Sequence, residues 1–313
     1  LMILLNIGTA FLNSKTLLES FEYTFKIMSP IFLFICLIIH SEKYEFNIRK
    51  LMIRVLSLCV FLTLIGYSVF DESYNHDDTW MPIYFSSVHT HSYVLVLIGI
   101  GFSYLIFEKK KYFRFLLFCL LYFIYLYMAH RIRTPMAFFL IYLLFTSYTI
   151  HNIFKALWLK LIINIPLIIA LFLFFVGDLN KFSSGRLVMY EAKYKMLQGF
   201  SFLEFIFGRG KGSDFIRTEY WVYEAKNSHN DILTFLVENG IPYALLFLFL
   251  VFLLIMIKGP KIKIIYTGIL IGYLTTSFLS NGLVIRPIAC YVFFIVLAYI
   301  LTSSEKRITI DDS

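Results

Sequence analysis

Long apolar runs separated by short polar clusters cover most of this chain. Ten can be traced, at residues 1–12, 21–40, 51–70, 87–107, 115–128, 135–150, 159–176, 240–257, 264–283 and 287–301. They are continuously apolar, without the alternation of a half-buried strand, so they predict helices. Most approach the ~17–25 residues that a helix needs to cross ~30 Å of hydrocarbon. A bilayer interior accepts only helices or closed barrels, because every backbone polar group must find its partner inside the protein. The pattern therefore predicts an all-α fold, a polytopic integral membrane helical bundle of about ten spans. One polar stretch interrupts it. The expected organisation is a transmembrane bundle of seven spans over 1–177, an external loop over 178–239, and three further spans with a cytoplasmic tail over 240–313.

Composition agrees. The chain is 59% hydrophobic and only 15% charged, with a mean hydropathy of +0.77, which excludes an ordinary soluble globular domain. Short-loop cations set the orientation. Lys43, Arg49 and Lys50 share one loop, Lys109, Lys110, Lys111 and Arg114 another, and Lys155 with Lys160 a third. Lys258, Lys261 and Lys263 form a fourth group, and Lys306 and Arg307 lie in the tail. All fall on one side if every run crosses, whereas loop 71–86 has no Lys or Arg and carries Asp71, Glu72, Asp77 and Asp78. Both termini are expected in the cytoplasm and 178–239 outside. The net charge of +8 reflects this topology and gives no reason to invoke nucleic acid. No cleavable signal peptide is visible. The short first run and the opening Leu1 suggest missing upstream residues, with a non-Met start codon as the alternative. Cys36, Cys59, Cys119 and Cys290 all lie within apolar runs and read as small core hydrophobes.

The polar stretch has internal order. Leu187, Tyr190, Tyr194 and Leu197 recur at helical spacing after Ser184, a natural N-cap, and before Gly199, which is placed to end a helix. Such a helix would lie along the membrane surface, with Lys193 and Lys195 meeting lipid headgroups. Arg186 would sit in its first turn beside free N–H groups that suit phosphate. Phe207-Gly208-Arg209-Gly210-Lys211-Gly212 alternates glycines with cations. It reads as a turn or as a phosphate cradle, although it lacks P-loop spacing. In Ser228-His229-Asn230-Asp231, Ser228 and Asp231 fit a capping box that opens a short helix ending at Asn239-Gly240. His229 would then lie in the first turn, where the helix dipole keeps the imidazole neutral, as a general base requires.

Other segments face the same side. The turn His130-Arg131-Ile132-Arg133 crowds two arginines suited to a pyrophosphate, and Arg286 is a further candidate. His89 and His91, two apart on a helix, do not share a face and make a poor zinc pair. Asp77-Asp78 reads as an acidic loop rather than a metal site, so no metal and no cofactor are expected.

In order, these elements resemble the O-antigen ligase and O-antigen polymerase superfamily of bacterial polysaccharide assembly. They are the short Arg-bearing turn, Ser184-Gly185-Arg186, Gly208-Arg209-Gly210, and Ser228-His229-Asn230-Asp231 running through Glu238-Asn239-Gly240-Ile241. The likeness covers roughly 129–250. It departs in two places. Ile132 precedes Arg133 where the family often has a small hydroxyl residue, leaving the choice between Arg131 and Arg133 open. Tyr190 stands where an aromatic, often Trp, follows the loop arginine by four residues.

The resemblance implies glycosyl transfer from an undecaprenyl-pyrophosphate-linked saccharide at the outer face of the bacterial inner membrane. Donor and acceptor are then lipid-linked glycans, with membrane lipid and a chain-length regulator as candidate partners. His229 would accept the proton of the incoming hydroxyl. Arg186 with Arg131 or Arg133 would clamp the pyrophosphate, helped by Arg209 or Lys211, with Asn230 and Arg286 as further substrate-binding candidates. Polymerase is favoured because such enzymes vary widely in sequence, with ligase as the alternative. A lipid-linked-sugar flippase is a third reading, disfavoured by span interiors nearly free of charge.

Overall fold

The computed structural model describes residues 1–13, 16–69, 88–129, 132–154, 185–219, 221–257 and 263–305. Among them the chain is all-α, and the only strand-like feature is an isolated bridge between Ile216 and Lys226. The helices are α1 (Met2–Leu12), α2 (Leu17–Lys43), α3 (Ile48–Val69), α4 (Val88–Glu108), α5 (Tyr112–Ala129) and α6 (Arg133–Phe154). Then come α7 (Arg186–Gln198), α8 (Phe202–Phe207), α9 (Asp231–Asn239), α10 (Ile241–Met256), α11 (Lys263–Leu279) and α12 (Pro287–Glu305). Nine of the ten apolar runs fall on helices; the run 159–176 lies outside the described residues. The run 264–283 is helical only to Leu279, and its last residues form a turn. Two described helices, Leu17–Lys43 and His89–Glu108, are long and apolar enough by themselves to cross a bilayer, and five more are shorter and apolar.

The chain forms two compact units. One comprises Leu1–Ile27, Asn164–Met256 and Ser277–Ile285; the other comprises Met28–Ile163, Ile257–Thr276 and Arg286–Ser313. α2 runs unbroken through the boundary between the units at Ile27 and Met28 and carries Pro30 inside it, which removes one helical hydrogen bond.

In the second unit, small residues let helices approach closely. Gly268 and Gly272 on one face of α11 receive the rings of Phe145 and Phe138 from α6, and Gly99 of α4 receives Tyr122 of α5. The Tyr122 hydroxyl donates to the Leu95 carbonyl at 2.7 Å, and Tyr273 stacks on Phe293 with centroids 4.9 Å apart. Cys59, Cys119 and Cys290 are buried, whereas Cys36 is exposed, so the core expectation fails for Cys36 alone; none forms a disulfide.

In the first unit, α1 packs its polar positions inward. Asn6 Nδ2 donates to Ser20 O at 2.6 Å and to Asn239 Oδ1 at 3.2 Å. Thr9 donates to Phe207 O at 2.6 Å. A buried amide or hydroxyl costs several kcal/mol unless it finds such partners (roughly 2–7). Around Phe235, the rings of Tyr23, Tyr243 and Phe247 pack edge-on at 5.4, 5.6 and 5.3 Å.

The ends of α8 and α9 interlock through two glycines. Gly208 (φ 70°, ψ −173°) ends α8 and Gly240 (φ 87°, ψ 170°) ends α9. Both occupy a region that is essentially reserved for glycine. A Cβ on Gly208 would lie 2.3 Å from the Glu238 carbonyl carbon, and one on Gly240 would lie 2.2 Å from Ile206 O. Neither backbone can yield without pulling the two helix ends apart. Gly208→Ala and Gly240→Ala should each destabilise this unit by at least about 1–3 kcal/mol, read as a lowered melting temperature in detergent. Gly212→Ala, whose Cβ would meet nothing within 4 Å, should bear only the cost of its positive φ.

Candidate functional site

The long loop is organised around a buried carboxylate. Lys193 and Asp214 are both 0% exposed, with Lys193 Nζ 3.1 Å from Asp214 Oδ1. Nζ also donates to the Asp214 backbone carbonyl. Asp214 Oδ2 accepts from Ser228 N at 2.9 Å, Ser228 Oγ at 3.0 Å and Thr234 Oγ1 at 2.8 Å. Burial lowers the Lys193 pKa, and the Asp214 carboxylate opposes that shift.

This cluster corrects the sequence reading of α7. The buried face carries Met189 and Lys193, while Leu187 and Tyr194 of the expected apolar face are exposed. Lys193 is therefore no headgroup contact. Lys195 does lie on the exposed side, paired with Glu191 at 2.7 Å. The helix is capped by Gly185 in a left-handed conformation (φ 77°) and ends at Gly199 as expected; Ser184 lies outside the described residues.

The start of α9 also differs. Its N-cap is Asn230, whose side chain accepts from Leu233 N at 3.0 Å. Ser228 cannot cap, because its hydroxyl is engaged with Asp214 and Thr234. His229 is not in the first turn. It precedes the cap with φ 48°, a left-handed backbone uncommon outside glycine and concentrated at functional sites. The capping box lies instead at Ser201 and Glu204 of α8, a Ser-x-x-Glu spacing that the sequence carried openly.

A third segment completes the cluster. At the end of α11, Arg186 Nη1 donates to Leu279 O at 2.6 Å and Asn230 Nδ2 donates to Phe278 O at 2.8 Å. These are carbonyls that a helix end leaves without intrahelical partners. Asp231 Oδ2 accepts from Gly282 N at 3.0 Å, and Asn281 Nδ2 lies 3.5 Å from His229 Nδ1. Tyr190 hydrogen-bonds Asn230 and feels the Arg186 charge, while burial raises its phenol pKa against both. Arg186, Tyr190, His229, Asn230 and Asn281 thus meet within one unit. A guanidinium carries five N–H donors, so it can hold a carbonyl and an oxyanion together. Asn227 and Asn281 were not among the sequence candidates, and Asp231 was read there only as part of a capping box. The available signal was the Asn281-Gly282 pair, a turn dipeptide inside an apolar run.

The other candidates lie elsewhere. Arg209 pairs with Glu204 (Nε to Oε1, 2.6 Å) and lies 4.3 Å from the Phe200 ring centroid. Lys211 pairs with Glu22. Of the two readings of their loop, the turn fits, because several of its N–H groups serve this chain's own acceptors. Arg209 N and Gly210 N donate to the Val237 and Glu238 carbonyls at 2.8 and 3.0 Å. Gly212 N and Asp214 N donate to Glu238 Oε1 at 2.8 and 3.4 Å. The acceptor held by the glycine-rich turn is the Glu238 carboxyl group.

Arg133 opens α6 and is exposed. Arg286 donates to Thr90 Oγ1 at 3.0 Å and lies 5.7 Å from the Tyr93 ring centroid. Both belong to the second unit. Arg131 and Asp77-Asp78 lie outside the described residues. His89 is exposed and His91 buried. No cluster of metal-ligating side chains occurs among the described residues.

Compared with protein-family models, with characterised proteins and with solved structures, the chain matches none.

Two stability predictions follow from the buried charges. Lys193→Met leaves Asp214 buried without its cation and should cost about 3–5 kcal/mol, measured as a fall in melting temperature. Glu238, 1% exposed, has its carboxyl pKa raised from 4.5 to about 7, chiefly by burial. The folded state therefore binds this proton more tightly than the unfolded state does. Its stabilising contribution is complete below pH 4.5 and is lost as the pH rises through about 7. The loss is on the order of 3 kcal/mol. Glu238→Gln should flatten the melting temperature across that window, whereas an unchanged pH slope would count against Glu238 as its source.

Proposed function

We propose that this protein is a multi-pass inner-membrane glycosyltransferase. It joins an undecaprenyl-pyrophosphate-linked saccharide to a lipid-linked repeat unit at the outer membrane face, as an O-antigen or capsule polymerase. The observation that carries the reading is the convergence of Arg186 and Tyr190 of α7 with His229 and Asn230, just before α9, at the end of α11 and the turn that follows it. A cation together with a general base is what displacement of a diphosphate needs. The guanidinium stabilises charge developing on the leaving group, and the imidazole accepts the proton of the attacking hydroxyl. Direct displacement inverts the anomeric carbon.

Membrane embedding is supported by α10. One face buries Tyr243, Ala244, Phe247 and Val251, and the opposite face exposes the equally apolar Leu245, Phe249, Phe252 and Met256. A helix apolar all round suits lipid on its outer side. The distribution of short-loop cations supports an outside position for the 178–239 stretch. Arg209 and Lys211, paired with carboxylates, serve the loop's architecture in this reading.

His229→Ala and Arg186→Lys should each abolish long-chain polysaccharide and leave single repeat units on lipid A-core, with rate losses of ~10²–10³. Wild-type chain lengths in both would sink the proposal. A deletion strain separates the acceptors: core plus one unit indicates the polymerase, whereas full-length chains retained on the undecaprenyl carrier indicate a ligase. Failure to move the lipid-linked unit across the membrane would indicate a flippase instead. EDTA should leave the purified enzyme active; inhibition reversed by Mg²⁺ would redirect attention to Asp77 and Asp78.

A further inference from the structure

We propose that Asn227 and Asn281 fix the neutral tautomer of His229 with its lone pair on Nδ1. Nδ1 is then the nitrogen that takes the proton, and Asn281 is a positioning residue for the base. The tautomer is inferred from the contacts that Asn227 and Asn281 make with His229; its catalytic use rests on the reading of His229 given above.

The chain of inference starts at the one donor in the network whose identity is certain, a backbone N–H. His229 N donates to the Asn227 side chain at 3.3 Å, so the Asn227 atom facing it is the oxygen. That same oxygen faces the Asn281 amide at 3.4 Å. Two amide oxygens in contact would repel, so Asn281 presents its NH₂ group. The nitrogen of that group also lies 3.5 Å from His229 Nδ1. An NH₂ group can only donate, so the ring atom facing it must accept. A neutral imidazole accepts at one nitrogen and carries its proton on the other, which places the proton on Nε2.

Three features hold these side chains in place. His229 is locked in a left-handed backbone conformation. Its neighbour Ser228 is pinned to the buried Asp214. The Asn281 turn is tied to the start of α9 by the bond from Gly282 N to Asp231 Oδ2. A Cβ at Gly282 would come within 2.8 Å of that carboxylate oxygen and of the Ser277 backbone nitrogen, so a larger residue there would force the turn to shift.

The contact from Asn281 to Nδ1 is long for a hydrogen bond, and a sugar hydroxyl can replace it with a shorter one. In the transfer step the hydroxyl oxygen bonds to the anomeric carbon and its proton moves to Nδ1. The bond from that carbon to the pyrophosphate oxygen breaks, and the electron pair leaves with undecaprenyl pyrophosphate. Nε2 keeps its proton throughout, and the imidazolium later returns the Nδ1 proton to solvent.

The test is ring ¹⁵N NMR of the full chain labelled with ¹⁵N-histidine in detergent, with His229→Gln used to assign the His229 signals. At a pH where the ring is neutral, the wild type should show His229 predominantly protonated at Nε2. Asn281→Asp, which offers Nδ1 an acceptor instead of a donor, should invert the ratio toward Nδ1–H. Asn281→Leu should leave a mixture. A wild-type spectrum with the proton on Nδ1 overturns the proposal without recourse to any variant. So does an Asn281→Asp protein with an unchanged melting temperature and an unchanged tautomer. Glycan profiles then separate the two levels. Long chains lost in Asn281→Asp and retained in part in Asn281→Leu support the positioning role. Normal chains in His229→Ala, with the tautomer as stated, refute the enzymatic reading and the catalytic use but leave the tautomer assignment standing.

Discussion

Asp214 carries a carboxylate into a place where water does not reach, and four donors answer it: the Lys193 ammonium, the Ser228 amide and hydroxyl, and the Thr234 hydroxyl. A buried ion pair adds little net stability, because desolvation cancels most of the Coulombic gain. What it imposes is placement. Any rotation of α7 that exposed Lys193, or any slip of the chain around Ser228, would leave a buried charge unanswered. The pair therefore sets which face α7 turns inward, and it fixes Ser228 one residue before His229. The left-handed backbone at His229 and the cap at Asn230 are built from that anchor.

The glycine-rich turn plays the complementary part. Gly208, Gly210 and Gly212 all take positive φ, which turns successive N–H groups toward the carbonyls and carboxylate at the end of α9. Asp214 follows directly and shares the Glu238 carboxylate through its own N–H. Two acidic residues and one lysine are thus enclosed together. This excess of buried negative charge is one reason the Glu238 carboxyl holds its proton near neutrality; burial itself is the larger reason. The start of α9 presents His229 and Asn230, while its other end is held by a scaffold with no part in the proposed chemistry.

Much of this was legible along the chain. Apolar runs marked nine described helices within a few residues, because a long run without breakers has no other way to satisfy its backbone. Gly199 and Gly240 marked helix ends, and the segment from Ser228 to Asp231 was singled out as the centre of the polar stretch. Arg186 and Asn230 were named and do converge with His229. The errors share one cause. Ser228 and Asn230 are both good N-caps, and Leu187 and Met189 are both plausible inward positions on α7. Local propensity gives such pairs nearly equal energies, so a distant partner decides between them. Asp214 made Ser228 unavailable as a cap and drew Lys193, with Met189 beside it, to the inside.

The amino-acid sequence by itself determined where helices form and where glycine must stand, because those depend on neighbours within a turn. It also determined which residue types could supply a cation and a base. Tertiary structure alone decided which of the cations are neutralised. Arg209 meets Glu204 five residues away and Lys211 meets Glu22 from a different helix, so neither is the open phosphate ligand that its loop suggested. It also brought the turn after α11 against the start of α9, adding Asn281 to a site that no local spacing connects to residue 281. Such pairings are set by the need to satisfy every buried charge and amide at once. That condition belongs to the folded whole and to no single stretch of the chain.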